Sequence, residues 1–76
     1  MTSEKIHELH LARPFRPFTI HLADGRKIPV HHPEFMAESP TGRIAIVFRA
    51  NGTHEYIDLL LVTSVEVKAN GLTKRR

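Results

Sequence analysis

The chain has 76 residues, of which 41% are hydrophobic and 25% are charged, with a formal net charge of +3 and no cysteine. This length corresponds to one domain at most, and the composition is typical of a globular rather than a disordered protein. The absence of cysteine excludes disulfides and thiolate metal sites. Because so small a domain buries little apolar surface, we expect it to gain stability by self-association.

The sequence predicts a soluble, cytoplasmic protein that contacts no membrane. The N-terminal segment MTSEKIHEL contains acidic residues and lacks the apolar region of a signal peptide. Apolar runs such as Leu59 to Val62 are far shorter than the roughly 20 residues needed to cross a bilayer. Residues 70–76, which end in Lys-Arg-Arg, are predicted to form a basic flexible tail.

One short amphipathic helix is predicted from about Glu4 to Leu11. Ser3 is placed to cap its N-terminus, and an acidic residue follows at the positive end of the helix dipole. Ile6 and Leu9 fall at helical spacing. Pro14 ends the helix, because the residue before a proline avoids the α region.

Alternating residues on either side of Asp24-Gly25 predict a β-hairpin whose register can be chosen from the sequence. A two-residue loop would pair Ile20 with Pro29 and place the apolar side chains on opposite faces. A three-residue loop over 23–25 instead pairs Ile20 with Ile28, and Phe18 with Val30, on one face. Because a slip of one residue inverts every side chain, we predict the three-residue loop, with Gly25 left-handed in a G1 bulge.

The rest of the chain predicts further short strands separated by turns. Strands are expected at 35–37, 43–49, 53–58 and 62–67, and the segment 59–61 as a turn or corner. Pro40 and Gly42 mark one turn, and Asn51-Gly52 marks a second hairpin. The strand at 43–49 is apolar almost throughout, which is typical of the centre of a sheet or of a strand buried on both faces.

These elements predict a mainly β fold with one N-terminal α-helix. Five or six antiparallel strands would form a small curved sheet or an SH3/Sm-like barrel over residues 1–69. Closure into a barrel is favoured because it removes exposed strand edges. The helix would cover one open end. No internal repeat or low-complexity segment is found.

The segments PFRPFTIHLADGR, HPEF, SPTGR and IDLLLVTSVEV resemble, in this order, a family of small uncharacterised bacterial proteins. The resemblance extends over almost the whole chain. It implies no activity.

A weaker resemblance is to Sm-like proteins, including the bacterial RNA chaperone of that fold. The run from Leu22 to Arg26 is similar to the segment that joins the first two Sm strands, and residues 62–65 are similar to the last Sm strand. The Sm motifs expect a glycine where this chain has Val30, and a different element at 33–37. The resemblance implies a barrel, but the RNA-binding residues do not carry over, since residues 58–60 replace them.

Metal binding and catalysis are both weakly indicated, and we predict no cofactor, no metal and no enzymatic activity. His7 and His10 lie one helical turn apart, whereas His31 and His32 are adjacent and would point to opposite faces of a strand. Hydroxyl groups at Ser39 and Ser64, several histidines and the carboxylate of Asp58 are present. No local motif unites them into a catalytic constellation.

Two functions of different classes remain. The first is a self-associating interaction module, because three leucines in a row exceed what a small interior can use and an exposed apolar patch often marks an interface. Its predicted interface residues are Leu59, Leu60 and Leu61. The alternative is binding of RNA or single-stranded nucleic acid by a basic, aromatic-edged patch. The residues of that patch would be Lys5, Arg13, Arg16 and Arg26.

Overall fold

A computed structural model describes residues 3–68, which form one helix and six strands. The helix α1 spans Ser3–Leu11, too short to cross a membrane. The strands are β1 (Phe18–Leu22), β2 (Lys27–Val30), β3 (Met36–Glu38), β4 (Ile44–Phe48), β5 (His54–Asp58) and β6 (Val62–Val67). Two 3₁₀ turns, Pro33–Phe35 and Leu59–Leu61, precede β3 and β6. The predicted tail at 70–76 lies outside the described residues.

The predicted register of the first hairpin is confirmed. Ile20 pairs with Ile28 and Phe18 with Val30. The loop has three residues, because the Leu22 N–H donates to the Arg26 carbonyl oxygen at 3.0 Å. Its last residue, Gly25, has a φ of +96°, a left-handed conformation that glycine adopts without steric cost.

The other two predicted turns are also present. At the second hairpin the Gly52 N–H donates to Arg49 O at 3.0 Å, and the Asn51 side chain accepts from the Thr53 N–H at 3.0 Å. Asp24 accepts from the Arg26 N–H in the same way, at 3.1 Å. The turn containing Pro40 closes with a bond from the Gly42 N–H to Ser39 O. An aspartate or asparagine therefore stabilises each hairpin loop locally.

The strands form two three-stranded antiparallel sheets rather than one closed barrel, which corrects the prediction of closure. The order is β2-β1-β6 in one sheet and β3-β4-β5 in the other. The 3₁₀ turns account for the division. Each bends the chain between two strands, so that β3 leaves the sheet of β2 and β6 leaves the sheet of β5.

The two halves of the chain share one topology, a repeat that the sequence analysis missed. Each half is a hairpin, a 3₁₀ turn and a third strand, and each third strand pairs with the first strand of the other half. The hairpin loops align as Ala-Asp-Gly at 23–25 and Ala-Asn-Gly at 50–52. Little else is shared in sequence, because only the loops impose specific side chains on this topology.

The inward faces of both sheets and one helix residue form the core. Ile6 of α1 is fully buried between them. The buried hydrophobic residues are Ile6, Phe18, Ile20, Leu22, Ile28, Val30, Met36, Ala45, Val47, Ile57, Leu59 and Val62.

Candidate interaction surface

The outer face of the sheet β3-β4-β5 is apolar along its central strand. On β4, Ala45 and Val47 point inward and are fully buried. Ile44 and Ile46 point outward and are half-buried, and Phe48 is 42% exposed. The strand is central, as predicted, but the described residues cover its outer face only in part.

Two aromatic side chains of β5 extend this face. The ring of His54 lies 5.7 Å from that of Phe48, its cross-strand partner, and 5.7 Å from that of Tyr56. Tyr56 is 65% exposed. Beside Phe48 there is a groove of about 280 Å³ whose lining includes Pro29, His31 and Phe35. Apolar and aromatic surface thus continues past the strands.

The leucine run that follows β5 divides between core and surface. Leu59 is 3% exposed, whereas Leu60 is 71% and Leu61 is 45% exposed. The expected surplus leucine is therefore present at the surface, and Leu59 is a core residue. We call the exposed set Tyr56, Leu60 and Leu61 the β5 flank.

Asp58 fixes the turn that displays these leucines. Its side chain accepts a hydrogen bond from the Leu60 N–H at 3.0 Å and from Arg43 Nε at 3.2 Å. These two donors hold the pKa of Asp58 below its ordinary value. The carboxylate is thus ionised at neutral pH and caps the turn.

Of the four residues predicted to bind nucleic acid, two are paired with carboxylates in the described part of the chain. Arg26 is bound to two carboxylates, and Lys5 lies 3.6 Å from Glu8. Arg13 donates to the carbonyl oxygen of Ala12, and Arg16 is exposed on the following connector. Arg26 and Lys5 thus have carboxylate partners nearby, whereas the acceptor of Arg13 is a neutral carbonyl.

Arg26 belongs to a charged network that joins the two hairpins. It donates to Asp24 at 2.9 Å and to Glu55, while Arg49 donates to the other oxygen of Glu55 at 2.6 Å. These guanidinium groups, Arg49 first, hold the pKa of Glu55 below its ordinary value. The pKa of Asp24 is also below its ordinary value, chiefly because its carboxylate accepts a hydrogen bond from the Arg26 backbone N–H. The network is balanced in charge and stabilises the hairpins.

The two helix histidines, His7 and His10, both contact the carboxylate of Glu38. Nδ1 of His10 lies 2.7 Å from Glu38 Oε2, and Nδ1 of His7 lies 3.2 Å from the same oxygen. Nε2 of His10 is engaged by the Pro33 carbonyl oxygen at 2.8 Å. In the part of the chain that the structure describes, no group of three histidine or acidic residues is arranged to hold a metal ion.

The hydroxyl and carboxylate groups considered for catalysis have structural roles or lie apart. Ser39 Oγ accepts from the N–H of Ile44 at 3.1 Å and closes the β3–β4 turn. Ser64 is exposed on β6, in the other sheet. Ser39 and Asp58 thus hydrogen-bond to backbone within or beside the sheet β3-β4-β5, and Ser64 lies in the other sheet.

Sequence reasoning missed the exposed residues Phe48 and Tyr56 and the acceptor Glu38. The sequence did contain a signal for Phe48, because a strand that is apolar at every position from 44 to 48 places apolar side chains on both faces of its sheet. No local signal ties Glu38 to the helix, since the pairing depends on how the helix packs.

A comparison with protein-family models, curated proteins and solved structures finds no match to this chain. The resemblance to small bacterial proteins therefore stays an interpretation of the sequence.

Proposed function

We propose that this chain is a non-enzymatic interaction module that self-associates through the β5 flank. The observation that supports this proposal most directly is the concentration of exposed apolar residues in one short segment. Of the five large hydrophobic residues that are exposed within 3–68, three are Tyr56, Leu60 and Leu61. Apolar surface of this kind on a small protein commonly marks an interface.

The energetics support the proposal. Transferring a leucine side chain from water into an interface contributes roughly 1.5–3 kcal/mol. A domain of this size retains a small margin of stability alone, and no disulfide adds to it. Burial of the flank against another copy would contribute to both association and stability.

The test is the oligomeric state of the wild type and of Leu60→Asp and Leu61→Asp, measured by light scattering over a concentration series. Each substitution should weaken association at least tenfold, because a buried carboxylate replaces an apolar contact. Leu11→Asp is the matched control, since Leu11 is 54% exposed on the helix and outside the flank. That variant should associate like the wild type.

A wild type that stays monomeric and folded at millimolar concentration would refute the proposal. The same samples test the nucleic-acid alternative. Co-purifying nucleic acid with a steep loss of binding in salt would favour a basic surface instead of the flank.

A further inference from the structure

The geometry points to β5 as the strand through which two copies of this chain pair, antiparallel, with the two-fold axis at Tyr56. This inference rests on the self-association proposed above and names the surface and register. It requires a free strand edge, a self-complementary sequence and an apolar face beside it.

The free edge follows from the hydrogen bonds of β5. The Thr53 carbonyl accepts from the Arg49 N–H, and the Leu59 N–H donates to the Arg43 carbonyl, both at 2.8 Å. Because backbone groups alternate along a strand, odd-numbered residues of β5 face β4 and even-numbered residues face away. Within residues 3–68, no hydrogen bond reaches the outward N–H and C=O groups of His54 and Tyr56.

The sequence of β5 is complementary to itself in this register. Antiparallel pairing about Tyr56 places His54 opposite Asp58 of the second copy, and Asp58 opposite its His54. The Tyr56 pair exchanges two main-chain hydrogen bonds, and in each His54–Asp58 pair the Asp58 N–H can donate to the facing His54 carbonyl, because the Asp58 carbonyl begins the 3₁₀ turn. An imidazole N–H can donate to the facing carboxylate, and the two tyrosines form an aromatic pair across the axis.

The other three edges fit a second copy less well. On β2, Pro29 removes one backbone donor. Strand β3 has three residues, and its Glu38 is engaged by histidines of α1. On β6 the side chains of the outer face, Ser64 and Glu66, are polar and exposed, whereas β5 adjoins the apolar outer face of its sheet.

Charge substitution at His54 tests the register. His54 is exposed, so both variants should fold, which far-UV circular dichroism checks. His54→Asp places two carboxylates opposite each other and should weaken the dimer roughly tenfold or more. His54→Lys keeps opposite charges together, so its dimer should be at least as tight as that of the wild type and should loosen in salt.

Cross-linking tests the location, because the chain has no cysteine of its own. Tyr56→Cys should be joined across the axis by a short thiol cross-linker. Ser64→Cys, the control on β6, should not. A monomeric wild type would refute the proposed function itself. Two results would overturn the β5 pairing alone. One is an equal dimer affinity for His54→Asp and His54→Lys, and the other is cross-linking through Ser64→Cys but not through Tyr56→Cys.

Discussion

At the scale of single residues, the three glycines with positive φ among residues 3–68 differ in what surrounds them. Gly25 and Gly52 have open space where a Cβ would lie. A Cβ at Gly42 would lie 3.0 Å from the Ser3 hydroxyl oxygen at the start of α1. Gly42 therefore permits both the turn and the close approach of the helix.

Alanine substitutions at these positions should differ in cost. Gly25→Ala should destabilise by about 1 kcal/mol, because alanine must adopt a left-handed φ of +96°. Gly42→Ala has a similar backbone cost and also displaces Ser3, so its urea midpoint should fall further. In a Ser3→Ala background the extra cost of Gly42→Ala over Gly25→Ala should disappear, because the contact with the Ser3 hydroxyl is gone. Equal midpoints for both glycine variants would contradict the helix contact.

At the scale of elements, α1 depends on its attachments. A nine-residue helix is marginal in isolation. Ile6 anchors it in the core, and His10 links it to Glu38 of β3 and to the first 3₁₀ turn. The side chains of His10 and Glu38 are 16% and 10% exposed, so their hydrogen bonds are shielded from water.

Removing the two helix histidines should therefore have unequal effects. His10→Ala should destabilise by roughly 1–3 kcal/mol, since it leaves a shielded carboxylate and the Pro33 carbonyl without this donor. His7→Ala is the control, because that side chain is 61% exposed and its contact with Glu38 is longer. Urea titrations followed by circular dichroism measure both. A larger loss for His7→Ala would contradict this account of the helix.

At the scale of the whole molecule, the network of Asp24, Arg26, Arg49 and Glu55 connects the two sheets where their hairpins end. The first hairpin carries Leu22 and Ile28 at its inward positions, and the corresponding positions of the second carry Arg49 and Glu55. The Glu55 side chain is 20% exposed and accepts from one arginine of each hairpin. At the end of the second hairpin, ion pairs therefore take the place of the apolar contacts that Leu22 and Ile28 make in the first.

This network makes stability depend on acid pH. The pKa of Glu55 is lowered in the folded chain, so its contribution is fully present above the ordinary glutamate value of about 4.3. The contribution is lost as pH falls through the lower, folded value. The urea midpoint should thus drop below pH 4, and Glu55→Gln should make that drop smaller while lowering stability at pH 7. An unchanged acid slope in Glu55→Gln would contradict this role.

The sequence alone determined the elements and the first register. Helix and strand positions lie within one or two residues of their predicted bounds, because alternation, proline and glycine act through neighbouring residues. The pairing of Ile20 with Ile28 followed from placing apolar side chains on one face. The leucine run was identified as a turn that displays apolar surface for the same local reason.

Only the tertiary structure decided how those elements share a core. It separated the strands into two sheets, turned Leu59 inward and Leu60 outward, and left the β5 edge without a partner strand among residues 3–68. It also directed Arg26 to Glu55 and His10 to Glu38, partners far away along the chain. Such choices depend on the packing of segments that are distant in sequence, and a local pattern carries no information about which distant segment arrives beside it.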